Sequence, residues 1–239
     1  MGNGWRSARR GRLRRGWAGW LVAAVLVAGQ AVAGEAPAPV DRHAVVVNDG
    51  LVGSAFLIEE GVAVTNRHVV RGLGIGGEVE LLASGEGGAR VLGRLVALSP
   101  RMDLALLRVP AGFVPPVEIA EAPTVAGMAV TATGIDAGEG GTGARRTLAG
   151  VVLEPSEDLP AFGPGLVVWL PGARPGFSGG PLLDTGGRLV GMVTALRPVG
   201  GRSPVALAGG GRGQPQVEAF ALRGEAVRAE ARRLLDAGG

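Results

Sequence analysis

Three short segments of this chain carry residues that could together hydrolyse an acyl bond. His68 follows one apolar run, Asp103 opens another, and Ser178 lies in a turn with glycines at 176, 179 and 180. A histidine can take the proton of a serine hydroxyl, and a carboxylate can orient that histidine. Glycines allow the tight turn that exposes a serine. Each residue alone is an ordinary feature of a strand end or turn, but together they predict a nucleophilic hydrolase.

The order of these residues along the chain decides between hydrolase arrangements. Both histidines, His43 and His68, precede Ser178, whereas a nucleophile elbow needs the serine before the histidine. The order histidine, aspartate, serine is that of chymotrypsin-type enzymes. A subtilisin order could begin at Asp41 or Asp49, but the alternating strand–helix pattern of that fold is absent. His43 lies beside a linker with no obvious partner, so we predict that it is exposed.

The residue types define a mechanism. Neutral His68 would take the proton of Ser178 and return it to the leaving amine, while Asp103 would fix the histidine tautomer and stabilise its charged form. The backbone N–H groups of Gly176 and Ser178 are predicted to form an oxyanion hole, an effect of roughly 3 kcal/mol per donor. Because His68 must be neutral to act as a base, activity should fall in acid.

The elements that must position these residues are short apolar runs separated by glycine-rich turns, a pattern typical of an all-β sandwich or barrel. The twelve predicted strands are Ala44–Val47, Leu51–Ile58, Val62–Thr65, Val79–Leu82, Val91–Leu98, Leu104–Val109, Ala129–Thr133, Leu148–Leu153, Leu166–Leu170, Pro181–Leu183, Leu189–Val193 and Ala219–Leu222. Between the two series, Val114–Pro123 reads as a linker. Gly134–Gly143 and Val199–Gln216 are predicted surface loops. Apolar residues at helical spacing predict a C-terminal helix over about 223–237, packed against the second series.

The first 33 residues have the features of a secretory signal. Six arginines precede an apolar run from Trp17 to Val27, and Ala31-Val32-Ala33 is a small-x-small cleavage site. The alternative is an uncleaved membrane anchor, but the apolar run is shorter than the roughly 20 residues that span a bilayer. Residues 34–41 form a linker rich in proline and alanine. Membrane contact is therefore expected only through the signal segment before cleavage.

Charge and cysteine content exclude several classes of protein. The whole chain carries a formal charge of +3, but without the leader 18 basic residues remain against 21 acidic ones, which gives no case for nucleic-acid binding. The chain has no cysteine, so it has neither disulfides nor a thiol nucleophile. Two separated histidines without cysteine make a metal site unexpected, and no cofactor is predicted.

Around the candidate residues the sequence resembles trypsin-like serine peptidases, and most closely the HtrA/Deg group of bacterial envelope proteases. The segments that carry the resemblance are Gly53–Ile58, Val64–Val70, Asp103–Leu107, Pro175–Pro181, Gly187–Ala195 and Phe220–Leu222. Together they extend the resemblance over nearly all of residues 43–236, and the three motifs in combination are specific.

The resemblance implies an all-β fold of two six-stranded antiparallel barrels with a C-terminal helix. The peptidase domain would cover 42–239, with a first barrel over about 42–113, a second over about 124–222 and the helix over about 223–237. His68 and Asp103 would come from the first barrel and Ser178 from the second. Thr194, Ala195 and Leu196 would pair with the substrate backbone and border the primary specificity pocket.

Three features depart from the family pattern. Phe177 stands where the group usually has asparagine and the digestive enzymes have aspartate, so activation by a new N-terminal ammonium is not expected. Gly172 stands at the position of the acidic pocket floor of trypsin, which favours a small or medium aliphatic residue at the cleavage site. The sequence ends at Gly239, so the PDZ domain that usually follows in the group is not expected here.

The sequence therefore predicts an exported serine endopeptidase that cleaves protein substrates through an acyl-enzyme, in envelope protein quality control or processing. Its expected location is the periplasm or the extracellular medium. The alternative is a trypsin-like module with a collapsed oxyanion loop that binds unfolded protein, and Phe177 motivates it. A small-ester hydrolase would share the same chemistry.

Overall fold

Twelve strands and one C-terminal α-helix build the described part of the chain, which in a computed structural model comprises residues 39–84, 88–136, 143–159, 162–199 and 217–238. A short 3₁₀ helix, Pro39–Arg42, leads into the first strand. The predicted signal segment lies outside the described residues, as do positions 137–142 and 200–216 of the two predicted loops. No helix in the described ranges has the length and apolar character needed to cross a membrane.

The first six strands close into an antiparallel barrel. They are β1 (Ala44–Asn48), β2 (Leu51–Glu59), β3 (Val62–Thr65), β4 (Glu78–Leu82), β5 (Arg90–Leu98) and β6 (Ala105–Arg108). Around the ring the order is β1-β2-β3-β6-β5-β4. The β1–β2 hairpin turns at Asp49 and Gly50, whose φ angles are 45° and 78°, as the two-residue Asp-Gly turn requires. Closure leaves neither β1 nor β4 as an unpaired edge.

The next six strands repeat the same topology in a second closed barrel. They are β7 (Ala129–Ile135), β8 (Arg145–Leu159), β9 (Gly163–Trp169), β10 (Pro181–Leu183), β11 (Leu189–Pro198) and β12 (Val217–Arg223). Read from β7, the ring runs β7-β8-β9-β12-β11-β10. Gly134 and Ile135 belong to β7, so the prediction of a surface loop is wrong at its first two residues. Glycine is needed at position 134 of the strand because Phe177 occupies the space that a side chain there would fill.

Helix α1 (Gly224–Gly238) packs at the junction of the two barrels. Its apolar face shares one buried cluster with Leu104 of the first barrel and Met192 of the second. The prediction that the helix packs against the second barrel is therefore incomplete, because α1 also contacts β5. The prediction of two six-stranded antiparallel barrels with a C-terminal helix is confirmed.

Candidate active site

His68 lies in a helical turn that follows β3. The amide of Val69 donates to Asn66 O at 3.1 Å, and the amide of Leu73 donates to Val70 O at 3.1 Å. Val69 and Val70 are buried in the core of the first barrel. Burial of these two valines turns His68 outward, and 47% of its side-chain surface is exposed. The apolar pair after the histidine thus determines which way the imidazole points.

Asp103 binds His68 at two places. The imidazole Nδ1 lies 2.6 Å from Asp103 Oδ2, and the backbone N–H of His68 donates to Oδ1 at 3.0 Å. A carboxylate only accepts hydrogen bonds, so Nδ1 carries the ring proton and Nε2 is left as an acceptor. Asp103 itself is nearly buried, with 8% of its side chain exposed. The pair has the geometry that orients a general base.

The turn before Asp103 is held by a buried serine. Ser99 Oγ accepts hydrogen bonds from the backbone N–H groups of Arg101 and Met102, each at 3.0 Å. The same hydroxyl donates to Glu230 Oε1 of helix α1 at 2.6 Å. A salt bridge to Arg233 and the bond from Ser99 lower the pKa of Glu230, so the carboxylate stays charged. The C-terminal helix therefore supports the segment that presents Asp103.

Ser178 lies in a turn that is tied to the first barrel. The backbone N–H of Ser54 on β2 donates to Ser178 O at 2.8 Å. The amide of Gly179 donates to Val193 O at 2.8 Å. Gly179 has a φ of +84°, and a side chain there would come within 2.0 Å of Ser54 O. Glycine at 179 is required both for the backbone angle and for the close approach of the two barrels.

Two N–H groups of this turn have no hydrogen-bond acceptor among the described residues. Neither the amide of Gly176 nor that of Ser178 donates to a protein acceptor among the described residues. Gly176 has a φ of +106°, and a Cβ there would lie 2.3 Å from Ile135 O. Buried or half-buried N–H groups without partners are uncommon in folded proteins. The N–H groups of Gly176 and Ser178 could therefore donate hydrogen bonds to a substrate oxygen.

The histidine–aspartate pair and the serine turn meet at Thr194. Asn66 Nδ2 donates to Asp103 O at 2.7 Å and to Thr194 Oγ1 at 3.2 Å. Ser178 Oγ donates to Thr194 O at 3.2 Å. Within the described residues, no hydrogen bond joins Ser178 to His68. The structure thus brings the three predicted residues to one junction, with the serine hydroxyl bonded to a carbonyl rather than to the imidazole.

The strand segment predicted to bind substrate continues from this junction. A β-bulge interrupts the β11–β12 pairing at Thr194, between Val193 and Ala195, and such bulges redirect strands beside active sites. Ala195 and Leu196 pair with Phe220 and Ala219 on one side. On the other side, the pairing of β11 with β10 ends at Met192. In the described part of the chain, Ala195 and Leu196 therefore have one unpaired backbone edge.

Phe177 packs into the core of the second barrel. Its side chain is fully buried and belongs to the cluster that includes Val130 and Leu182. Its ring occupies the space above Gly134, where a Cβ would come within 2.5 Å of the ring. Phe177 therefore anchors the serine turn from below. A collapsed loop was considered because Phe177 is bulky, but the side chain packs in the barrel core and does not fill the turn.

His43 contradicts the prediction that it is exposed and without a partner. Its side chain is completely buried. Nε2 lies 2.8 Å from Ser54 Oγ, and Arg145 Nε donates to Nδ1 at 3.2 Å. The linker composition before His43 predicted exposure to solvent. Its partners instead come from β2 and from β8, and Arg145 of β8 is 102 residues away along the chain. No local signal in the sequence announces Arg145.

Sequence reasoning also missed a hollow beside His68. The hollow has a volume of about 350 Å³ and is lined by His68, Asp103, Arg67, Arg71, Leu73 and Leu98 among others. The two arginines are exposed, so this side of the site carries positive charge. Among the described residues, no three side chains of the metal-binding types cluster closely enough to hold an ion.

Fold and site together define a two-barrel β protein with a paired histidine and aspartate and a serine turn at the barrel junction. The sequence model of the trypsin-like peptidase domain matches residues 53–192, and the chain belongs to this family. The prediction of a serine-type endopeptidase is thereby confirmed. A comparison with curated proteins found no match.

Several solved proteases share the fold. The Rv3671c protease from M. tuberculosis H37Rv, as an inactive serine-to-alanine mutant, aligns with a TM-score of 0.62 and 22% identity over 84% of this chain and 91% of its own. The HtrA-type protease AlgW with a tripeptide aligns with a TM-score of 0.63 and 23% identity over 83% of this chain and 62% of its own. The serine endoprotease from Yersinia pestis gives 0.61 and 20%, over 82% and 64%. The predicted resemblance to HtrA proteases is confirmed, whereas this chain spans less than two thirds of the AlgW and Yersinia chains.

Proposed function

We propose that the protein cleaves polypeptides with Ser178 as nucleophile, His68 as general base and Asp103 as the group that orients His68. The observation that carries the proposal is the double hydrogen bond between His68 and Asp103 at the barrel junction. The serine turn at the same junction has two N–H groups without an acceptor among the described residues. That combination supplies a base with an open Nε2 and donors for developing negative charge.

The reaction starts when substrate binding releases the Ser178 hydroxyl from Thr194 O and rotates it toward His68 Nε2. Catalytic hydrogen bonds often form only in the substrate complex. Ser178 Oγ attacks the scissile carbonyl carbon as its proton passes to Nε2, and the carbonyl oxygen becomes an oxyanion. The N–H groups of Gly176 and Ser178 stabilise that oxyanion, each by roughly 3 kcal/mol.

The second half of the reaction returns the proton. His68 donates it to the leaving amine nitrogen, the C–N bond breaks, and an acyl-enzyme remains on Ser178. Water then gives a proton to His68 and attacks the ester carbonyl. Collapse of the second oxyanion restores the Ser178 hydroxyl and releases the acid. Asp103 remains ionised throughout and stabilises the imidazolium.

An extended polypeptide is the substrate that the site suits. The unpaired edge of Ala195 and Leu196 offers backbone groups to a substrate strand, and such strand addition gives affinity without side-chain identity. Glycine at 172 places no acidic group at the position where trypsin-like enzymes select basic residues, so cleavage follows small or medium aliphatic residues. AlgW, an HtrA-type relative, has been solved with peptides, which agrees with this substrate class.

We further propose that the protein works outside the cytoplasm, in processing or quality control of envelope proteins. The support is the signal pattern of residues 1–33 and the likeness to HtrA-type proteases. Cell fractionation with an antibody should place a shortened mature form in the periplasm or medium. Recovery of the full-length chain in the cytoplasm would contradict export without affecting the assignment of Ser178.

Labelling with a fluorophosphonate tests the catalytic assignment. Mature protein should become labelled at neutral pH, and mass spectrometry should locate the label on Ser178. Ser178→Ala should abolish both labelling and casein cleavage, whereas the control Ser84→Ala should retain both. Labelling that persists in Ser178→Ala would refute the nucleophile. Wild-type protein that neither labels nor cleaves, yet prevents casein aggregation, would favour the binding module.

A further inference from the structure

A chain of hydrogen bonds, buried at His43 and Ser54 and half-buried at Arg145, leads from the second barrel through the first and back to the serine turn. Arg145 Nε donates to His43 Nδ1 at 3.2 Å, His43 Nε2 lies 2.8 Å from Ser54 Oγ, and Ser54 Oγ donates to Gly176 O at 2.7 Å. His43 and Ser54 have no exposed surface. Arg145 is also bonded to Leu82 O of the first barrel. We call these contacts the His43 relay.

The chemistry of the groups allows only one direction of donation along the relay. A guanidinium only donates, so His43 Nδ1 accepts and the ring proton lies on Nε2. Ser54 Oγ then accepts from Nε2 and has its own proton left for Gly176 O. Burial and the nearby charge of Arg145 lower the pKa of His43 to about 3, so the ring is neutral at physiological pH. Each member has its partner, as buried polar groups require.

Ser54 holds the serine turn at a second point. Its backbone N–H donates to Ser178 O at 2.8 Å, while its hydroxyl binds Gly176 O. The peptide group between Phe177 and Ser178, which carries one free N–H, lies between these two tethered carbonyls. Its own carbonyl accepts from Gly180 N at 2.9 Å. Three successive peptide groups are thus oriented, and the N–H of Ser178 is fixed in direction.

We propose that the His43 relay positions the oxyanion-binding turn, so that His43, Ser54 and Arg145 are positioning residues for the hydrolysis proposed above. Glycine at 176 has no Cβ to restrict rotation of its peptide groups. The hydrogen bond from Ser54 selects one orientation of its carbonyl. Because Arg145 and Gly176 belong to the second barrel and His43 and Ser54 to the first, correct docking of the barrels and correct geometry of the turn are one event.

Kinetics of single and double variants test the relay. Ser54→Ala and His43→Ala should each lower kcat roughly 10- to 100-fold, the range expected when a reacting group is misplaced by about 1 Å, with a much smaller change in KM. The double variant should lose little more than either single variant, because both changes break one chain. His43→Gln retains a donor for Ser54 and should recover part of kcat. The matched control is Thr133→Val, which removes a buried hydroxyl that pairs with Thr147 and should leave kcat unchanged.

Thermal unfolding of each variant separates positioning from folding. Ser54→Ala should remain folded, with its loss of kcat measured per titrated site. An unchanged kcat in Ser54→Ala, a loss entirely in KM, or additive losses in the double variant would overturn the relay.

Nuclear magnetic resonance tests the relay independently of activity, because the chain has only two histidines. His43 should carry its proton on Nε2 and stay neutral from pH 5 to 8. Ser54→Ala should shift the amide resonances of Gly176 and Ser178. A proton on Nδ1, protonation of His43 in this range, or unshifted amides would refute the relay. A wild-type protein without activity would refute the proposed function, and these resonances would still decide the relay.

Discussion

The two histidines of this chain lie in opposite surroundings. His68 has 47% of its side chain exposed and is hydrogen-bonded to the carboxylate of Asp103. His43 is completely buried and accepts a hydrogen bond from the guanidinium of Arg145. Both rings have one nitrogen committed to a charged partner, but the partners have opposite signs.

Partner charge and burial give the same residue type two different properties. In the proposed mechanism the Asp103 carboxylate stabilises the imidazolium that forms when His68 takes the proton of Ser178. Burial removes the hydration of an imidazolium and Arg145 repels it, so His43 is kept neutral and donates to Ser54. In the proposed mechanism His68 moves a proton, and in the proposed relay His43 holds the serine turn.

Replacing Asp103, the carboxylate that binds His68, should have the largest effect on kcat. Asp103→Asn leaves an amide that cannot maintain the same tautomer, and we expect kcat to fall by roughly 10⁴-fold, as measured for the equivalent change in a serine protease. The matched control is Asp184→Asn, at a turn whose carboxylate accepts backbone N–H groups. A similar loss in both variants would show that the effect is not specific to His68.

Removing the side chain of Phe177 tests whether its packing in the second barrel anchors the serine turn. Phe177→Ala should lower the free energy of unfolding by about 3–5 kcal/mol because a fully buried aromatic side chain is lost. Urea denaturation measures the change. Leu92→Ala, at a side chain with 59% exposure, should change stability by less than about 0.5 kcal/mol. Equal effects in the two variants would contradict the anchoring role.

Glu230 offers the corresponding test on the His68 side. Glu230→Gln weakens the bonds to Ser99 and Arg233 in a largely buried setting and should cost about 1–3 kcal/mol of stability. A several-fold decrease in kcat should accompany it, because Ser99 holds the turn before Asp103. Glu225→Gln, at an exposed position of the same helix, is the control. A change in Glu225→Gln as large as in Glu230→Gln would mean that helix charge alone is responsible.

The smallest predicted effect is a difference in pH dependence. The pKa of His43 is about 3 in the folded protein against 6.5 as its ordinary value, so the unfolded chain binds a proton that the folded one does not. The free energy of unfolding should therefore decrease as the pH falls from 6.5 toward 3, by about 1 kcal/mol per pH unit between pH 6 and 5. His43→Gln should remove this contribution.

Urea denaturation at pH 5, 5.5 and 6 measures that slope for wild type and His43→Gln. The two proteins differ only at residue 43, so the difference in slope belongs to His43. Identical slopes would mean that His43 titrates as it does in the unfolded chain, and the contrast between the two histidines would fail.

The sequence predicted the fold well because its signals are local. Short apolar runs broken by glycine mark strands whichever partners they find, and the Asp49-Gly50 turn sets the first hairpin. The helix was predictable from the spacing of its apolar residues. Gly134 and Ile135 were misassigned because glycine weakens a strand signal, and only the ring of Phe177 across from Gly134 explains its place in β7.

The candidate site likewise has features that the sequence predicts and features that depend on residues distant along the chain. The order of His68, Asp103 and Ser178 along the chain, and glycine at 176, follow from the sequence alone and determine the class of chemistry. The environment of His43 does not, because its partners Ser54 and Arg145 are 11 and 102 residues away.

Residue types and their order along the chain predict the available chemistry without any structure: Ser178 as nucleophile, His68 as base, Asp103 as carboxylate and glycines that permit a tight turn. The surroundings of the two histidines depend on the folded structure, which exposes His68 beside a carboxylate and buries His43 beside an arginine. The reason is that strand patterns depend on neighbours along the chain, whereas burial and electrostatic potential depend on groups that closure of the barrels brings together.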